Sequence, residues 1–578
     1  MTWNHRRLIC VLLPLTGWPL AAGTDASRRD MRFGVMTHFA HGWEPGLIES
    51  VARSGVSTAR DELYWREIEP QRGTYTFPEQ YEKTMARFAR HAIEPLIVLS
   101  FENDAYDGGA TPHSDDAIQG YARYAVQVLR HYGKQIKAVE VWNEYNGDFV
   151  HGPAADNRAA TYLRMLRTLH QEVKRERSDV RVVGGATAGV PLPYWEKLFA
   201  GGALEYMDVL SVHPYRYDSA PEGLETDIAD LRELMAKFHG GRPKPIWVTE
   251  IGWTTRPAQA PGDIVIDGLV QAQFLVRAYA VLISAGVERV YWYLFRDYNE
   301  DLMGLVRSDP RATPKPAYAA MAAMTQQLRD AEFVGRDATP PELYSMRFRR
   351  PSGEQVRVMW SLEPKTLTVS GVTGATDMLG RSLGTSGTLH LKESPVYVVG
   401  EVQGLPEPES TTIADSHRGF AGVQGQAGWS YGFVSGESSV FTPLGKYGAD
   451  DWRAAWYAEL PHLTVTAKEQ HPSVRDGMPV GAVRRWQSDH NGVVRIAGLF
   501  RAGKQGGDGI GVAISVDGHR RFRKLLGGSP DAPVAEKFDF VEGVQRGTTI
   551  DFAVDPGPAA NIDHDGAAVS VTISTLDQ

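Results

Sequence analysis

Ala138-Val139-Glu140-Val141-Trp142-Asn143-Glu144 is a short, mostly apolar run that ends on an amide and a carboxylate. Ala138–Trp142 has the composition of a parallel strand buried on both faces. Runs of the same kind recur on either side of it, at Arg32–Met36, Ser57–Arg60, Pro95–Leu99, Arg181–Gly184, Val209–Val212, Ile246–Thr249 and Val290–Tyr293. Helical patterns lie between them at Pro45–Arg53, Pro78–His91, Asp115–His131, Arg158–Arg177, Pro193–Phe199, Asp227–Phe238, Ile266–Ala285 and Ala317–Leu328. Eight strands alternating with eight helices predict an α/β fold, a (β/α)8 TIM barrel. The structural alternative is an open doubly wound sheet. That fold carries a glycine-rich phosphate turn after its first strand, and Gly34-Val35-Met36-Thr37-His38 is not one.

After about Pro340 the pattern changes. Leu343–Arg349, Gln355–Ser361, Lys365–Ser370, Thr388–Leu391 and Pro395–Val399 are short β-like runs broken by Gly, Ser and Pro, which predict a small β-sandwich on the barrel. Leu405-Pro406-Glu407-Pro408-Glu409-Ser410 has the composition of a linker. Beyond it, Trp429–Val434, Leu463–Ala467, Val493–Phe500, Ile510–Val516, Arg521–Leu526, Thr548–Val554 and Ala568–Ile573 predict a second, larger, jelly-roll-like β-sandwich. The expected division is a barrel over 24–335, a small sandwich over 336–404, a linker over 405–411 and a C-terminal sandwich over 412–578.

Residues 1–23 have the features of a signal peptide: Arg6 and Arg7, the apolar run Leu8–Leu15, and small residues at Ala21-Ala22-Gly23. No stop-transfer segment follows. The expected location is secreted or periplasmic, with no integral membrane segment after cleavage. The one cysteine, Cys10, lies inside that run, so the mature chain cannot form a disulfide and depends on core burial. The 578 residues carry 61 Lys+Arg against 70 Asp+Glu, a net charge of −9. A mildly acidic chain lacks the basic face that nucleic-acid binding needs.

Asn143-Glu144 ends the fourth strand run, and Glu250, in Trp247-Val248-Thr249-Glu250-Ile251-Gly252-Trp253, ends the seventh. Strand ends face the mouth of a barrel, where such folds place their chemistry. Two carboxylates that converge there about 5–5.5 Å apart suit double displacement at a sugar carbon. One must hold a proton while the other is ionised, which unequal surroundings bring about.

These two motifs resemble the clan A glycoside hydrolases, and within the clan family 39, including bacterial enzymes that trim secreted exopolysaccharide. Trp65-Arg66-Glu67-Ile68-Glu69-Pro70 with Gly73-Thr74-Tyr75 is similar to the family stretch after the second strand, and Lys315-Pro316-Ala317-Tyr318 to the opening of the last helix. The sequence departs at Tyr145-Asn146, where a proline often follows the glutamate. The resemblance spans about 31–330. It implies a retaining hydrolase with Glu144 as general acid/base and Glu250 as nucleophile. It further implies that Asn143 bonds the substrate 2-hydroxyl, that Arg60 bonds the nucleophile, and that Trp292 stacks under the reacting sugar. His213 and Tyr215 end the sixth strand. A tyrosine there touches the nucleophile in this clan, and Tyr217 is the rival. The expected partner is a polysaccharide or oligosaccharide.

His38, His41 and Trp43 follow the first strand and are candidates to line a subsite, with Trp43 equally suited to packing. The chemistry needs no metal and no cofactor. His113, His131 and His151 lack zinc-site spacing, and Asn561–Gly566 resembles a calcium loop without its closing glutamate. Trp429, Tyr431, Trp452 and Trp456 are either sugar-stacking residues or core of the second sandwich, with core favoured for most. Two alternatives share the barrel: a non-catalytic polysaccharide-binding or assembly protein, which would not need both acids, and a transglycosidase.

Overall fold

The structure is a computed structural model. It describes residues 32–217, 219–240, 242–256, 266–299, 301–407, 410–436, 440–503, 508–528, 533–557, 562 and 565–576. The signal-peptide residues, Cys10 and Asn561, Asp563 and His564 of the Asn561–Gly566 turn lie outside the described residues.

Eight strands close into a barrel in chain order. They are β1 (Phe33–Met36), β2 (Thr58–Tyr64), β3 (Glu94–Ser100), β4 (Ala138–Val141), β5 (Arg181–Ala188), β6 (Val209–His213), β7 (Ile246–Ile251) and β8 (Arg289–Trp292). Each pairs in parallel with the next, and β8 closes on β1. The eight apolar runs therefore mark the eight strands. β2, β5 and β7 run further toward the mouth than their apolar portions indicated, because Asp61 and Glu62 on β2, Gly185 and Ala186 on β5 and Glu250 on β7 interrupt the apolar run before the strand ends.

Successive residues of a strand point to opposite faces. The inward set Leu96, Ala138, Val183, Val209, Trp247 and Tyr291 forms its own apolar cluster and fills the barrel floor. The Tyr291 ring in that layer explains Gly34: a Cβ there would lie 2.5 Å from Tyr291 Cδ1. Further along the same strands the buried residues become polar, with Arg60 on β2, Glu140 on β4, Ser211 on β6 and Thr249 on β7. The outward residues pack against the ring of helices. Several helices open on side-chain caps: Ser114 accepts from Ala117 N–H, Asn157 from Ala160 N–H, and Asp267 from Leu269 and Val270 N–H. The Gly268–Ser284 helix is apolar almost all round and correspondingly buried.

An antiparallel six-stranded sheet follows, in the order Ser382–Gly384, Ser370–Asp377, Val396–Gln403, Gln355–Ser361, Leu343–Arg349, Glu332–Arg336. One face, with Tyr344, Met346, Phe348, Val358 and Trp360, joins the barrel's hydrophobic core. The other packs with Leu367, Leu389 and Leu391 of the two-stranded sheet Lys365–Thr368/Thr388–Leu391. Trp360 Nε1 and Arg277 Nε both donate to Glu222 Oε1, at 2.9 and 2.7 Å, tying this sheet to the β6 loop.

The C-terminal part consists of two facing antiparallel sheets around a single apolar core. Ser410 and Thr411 pair with Leu576 and Thr575, so the strand Ser410–Asp415 begins inside the segment read as a linker. Met478–Gln487 and Ala535–Val544 are full strands that the apolar-run pattern passes over. Charged residues interrupt both, and Arg484 in the first is wholly buried, donating to the Ser416, Thr466 and Ala467 carbonyls. Trp429, Tyr431 and Trp456 are core, while Trp452 is 52% exposed. The sandwich meets the barrel through Lys468–Asp227 at 2.9 Å and Lys197–Asp451 at 2.6 Å. Among the described residues no helix is long and apolar enough to cross a membrane.

Candidate active site

β4 ends at Val141, and the chain then takes two left-handed steps, Trp142 at φ 67° and Glu144 at φ 46°. Such steps cost a non-glycine residue about 1–3 kcal/mol each and persist only where the surroundings impose them. Trp142 N–H donates to Tyr121 Oη, and its indole N–H to Phe149 O at 3.1 Å. Glu144 N–H donates to Ala186 O at 2.8 Å. Ala186 can reach because β5 is bulged: Gly184 pairs with Leu210 but Thr187 with Val212, one residue more than on β6. Gly185 makes the bulge at φ 110°, where a Cβ would lie 2.6 Å from Ser211 O. Asn146 clamps the turn, its amide both donating to and accepting from the Ala188 backbone at 3.0 Å.

A second bulge aims Glu250. On β7, Val248 pairs with Val290 and Ile251 with Trp292, so β7 has one residue more than β8. The extra residue breaks the two-residue alternation, and Thr249 and Glu250 both reach partners on the inner side. Gly252 then lets β8 approach, since a Cβ there would lie 2.1 Å from Tyr293 O.

The two glutamates meet over His213. His213 Nδ1 lies 2.9 Å from Glu144 Oε1 and 3.8 Å from Glu250 Oε2, and its Nε2 is hydrogen-bonded to Thr249 Oγ1 at 3.0 Å. One ligand-type atom from each of Glu144, His213 and Glu250 falls within 4.8 Å of the other two. Both Glu250 oxygens are engaged: Arg60 Nη1 donates to Oε1, and Tyr215 Oη donates to Oε2 at 2.8 Å. Tyr217 is 65% exposed and stacks on Tyr215, so Tyr215 is the tyrosine on Glu250. Burial and the adjacent Glu250 charge push the Tyr215 hydroxyl well above its ordinary pKa, which keeps it a donor.

Arg60 is buried and fully committed, with Nε to Glu140 Oε2 at 2.5 Å, Nη1 to Glu250 and Nη2 to Asn143 Oδ1 at 2.8 Å. Burial opposes its charge, but Glu140 and Glu250 outweigh burial and hold it protonated. With Oδ1 taken by Arg60, the Asn143 amide N–H groups are left to donate elsewhere. Glu140 was not singled out from the sequence, although a lone acid at an inward position of an apolar strand is the signal that marks it. It shares Arg60's charge with Glu250. Glu140→Gln replaces a charge-assisted hydrogen bond worth roughly 1.5–3 kcal/mol with a weaker neutral one and loosens the guanidinium that also bonds Glu250, so kcat is expected to fall by about 10-fold or more. Steady-state kinetics of the variant check this.

The other wall comes from β1 and β2. His38 Nδ1 lies 3.1 Å from Glu62 Oε1, and the His38 ring stacks on His41 at 4.6 Å. Burial works against a charged His38, but Glu62, Asp61 and Glu250 together raise its pKa. Burial tends to raise the Glu62 pKa, and His38 more than reverses it. Asp61 is pushed up to about 7 by burial and by Glu62. Trp43 is buried edge-on against His38, which makes it packing under this wall. His38, His41 and Glu62 also offer ligand-type atoms within 4.8 Å of one another, as a cation site requires.

Trp292 does not line the mouth. It is wholly buried, donates its indole N–H to Met303 O at 2.9 Å and packs on Trp253. Strand alternation is the reason: Tyr291 points into the lumen, so Trp292 points out to the helices and Tyr293 points in again. The half-buried Tyr293 ring stands edge-on to both His38 and Tyr215, at 5.8 and 6.2 Å, and senses the Glu250 charge. Tyr293 thus occupies the place the sequence assigned to Trp292.

Residues 111–309 match the family model described as the glycosyl hydrolase catalytic core. The match takes in β4, β5, β6, β7 and β8 with both glutamates. No curated protein sequence matches the chain. Among solved structures the chain is similar to a family 39 glycoside hydrolase from the gut symbiont Bacteroides cellulosilyticus WH2. Identity is 22% and TM-score 0.56, over 64% of this chain and 81% of that one. It also matches a family 39 β-xylosidase from Caulobacter crescentus, at 17% identity and TM-score 0.48 over 64% and 96% of the two chains. A third match is an α-L-arabinofuranosidase from Thermotoga maritima, at 13% identity and TM-score 0.45 over 65% and 97%. The likeness to the Bacteroides enzyme is one of fold. The barrel carries a glycoside hydrolase core, and the protein is a glycosidase acting on a carbohydrate substrate.

Proposed function

We infer that the enzyme is a retaining glycoside hydrolase, with Glu250 as nucleophile and Glu144 as acid/base. The observation that carries this reading is the approach of the two carboxylates to within 4.8 Å. Retaining enzymes hold their pair at about 5–5.5 Å, while inverting enzymes leave about 6.5–9.5 Å for a water.

In the first step a Glu250 oxygen attacks the anomeric carbon as the bond to the leaving oxygen breaks, and Glu144 gives that oxygen its proton. A glycosyl–Glu250 ester results. In the second step Glu144, now ionised, takes a proton from water. The hydroxyl attacks the anomeric carbon and Glu250 leaves as a carboxylate, restoring the starting state. Arg60 and Tyr215 each donate to Glu250 and aim it, and His213 fixes Glu144. Asn143 offers its free amide to the 2-hydroxyl, a contact that strengthens as positive charge builds on the ring. Tyr293 and His38 form the wall beside the reacting sugar.

The substrate is a polysaccharide met outside the cytoplasm, in keeping with the signal-type residues 1–23. The barrel does the chemistry, and the two β-rich parts that begin with the strands Glu332–Arg336 and Ser410–Asp415 flank it. Digestion of a glycan library, with NMR detection of the first anomer released, tests the reading. The expected product keeps the configuration of the bond cleaved. An inverted first product sinks the mechanism, and release of no sugar from any polysaccharide sinks the substrate class.

A further inference from the structure

The C-terminal sandwich reaches the catalytic mouth at one point. Its strands Lys446–Ala449 and Ala454–Tyr457 form an antiparallel hairpin whose tip is 450–453. Asp450 Oδ1 accepts from Trp452 and Arg453 N–H at 2.7 and 2.8 Å, so the tip has a defined shape. Asp451 is anchored to Lys197 on the barrel helix Leu192–Ala200. The indole between these anchors lies over Gly147: a Cβ there would sit 3.7 Å from Trp452 Cη2 and 3.4 Å from Glu144 O. Gly147 N–H donates to that same Glu144 carbonyl at 2.8 Å. Trp452 therefore rests on the turn that carries Glu144, and it is still 52% exposed.

An exposed indole held at both sides is a costly arrangement for packing alone, since every other aromatic proposed for this sandwich is buried in its core. Two further exposed rings stand near the same turn. Phe149, 42% exposed, stacks on Phe101 at 5.6 Å, and Tyr217 feels the Glu144 charge. Glu144 protonates the leaving oxygen, so the leaving part of the substrate passes on its side of the pair. We propose that Trp452, supplied by the C-terminal sandwich, is a sugar-stacking platform for the leaving-group side of a polymeric substrate. The class it suits is a chain of pyranose rings joined through equatorial bonds, which presents flat C–H faces one after another. The proposal rests on the retaining-glycosidase reading. It makes the sandwich part of the active-site cleft and the enzyme one that engages rings on both sides of the bond it cuts.

The test uses the full-length enzyme with xylohexaose, mannohexaose and cellohexaose, each beside the β-glycosyl fluoride of the same sugar. Fluoride has no ring to place on Trp452. For the sugar turned over fastest, Trp452→Ala is expected to lower the ratio of kcat/KM on the hexaose to kcat/KM on the fluoride by about 10-fold, mostly through KM, and Trp452→Phe to recover most of it. An unchanged ratio overturns the proposal while leaving the catalytic reading intact. Equal losses on both substrates also overturn it, since they indicate a structural role. A parent that hydrolyses none of the six probes counts against the substrate class, whereas a parent that hydrolyses them with inversion counts against the retaining reading alone.

Discussion

Replacing Glu250 with alanine is expected to lower hydrolysis of every substrate by about 10⁴-fold or more, the scale seen when an enzyme that works through a covalent intermediate loses its nucleophile. Glu250 accepts from both the buried Arg60 and the half-buried Tyr215, so the structure commits two donors to this one carboxylate. The space that Glu250→Ala opens lies directly below the anomeric carbon. Azide added to the variant can attack from that face, while Glu144 still protonates the leaving oxygen. The product is a glycosyl azide whose configuration is inverted relative to the substrate, identified by NMR. Turnover within 10-fold of the parent, or an azide product with retained configuration, removes Glu250 from the nucleophile's role.

Glu144→Gln has a second, different signature. Loss of a general acid/base typically costs about 10²–10⁴-fold, and here the loss depends on the leaving group. A dinitrophenyl glycoside leaves without a proton, so the first step survives. The second step lacks its base, the glycosyl–Glu250 ester accumulates, and stopped-flow absorbance shows a burst followed by slow turnover. Substrates with an alcohol leaving group show the full loss. Azide then reacts with the accumulated ester and gives a product of retained configuration. A uniform loss across leaving groups, with no burst, would reassign Glu144 to a binding role. The opposite azide products of the two variants separate the two carboxylates without any assumption about the sugar.

The barrel and its carboxylate pair were legible in the sequence because both are written locally. Each buried parallel strand is a short apolar run, and Glu144 and Glu250 sit where their runs stop. Asn143, His213, Tyr215 and His38 likewise lie at or just beyond the ends of their strands, whereas Arg60, where the apolar run stops, is inside β2, which continues to Tyr64. The error at Trp292 came from reading the residue type without the alternation of β8. Tyr291 fills the floor, so the next inward ring is Tyr293. Strands such as Met478–Gln487 escaped because Arg484 and Arg485 interrupt the apolar pattern, although Arg484 is buried on backbone carbonyls.

What the sequence by itself determined, then, was the order of strands and helices and which strand ends bear acids. What only the tertiary structure decided was direction. A one-residue bulge in β7 turns Glu250 inward beside Thr249, and a bulge in β5 swings the Ala186 carbonyl onto Glu144 N–H. The third carboxylate, Glu140, is joined to the pair only through Arg60, from a strand distant in the chain. Trp452, more than 300 residues from Glu144 along the chain, reaches the mouth only because two separately folded parts dock. Local pattern reflects burial, which is a property of each segment, whereas side-chain aim and docking arise from register between segments that no single stretch encodes.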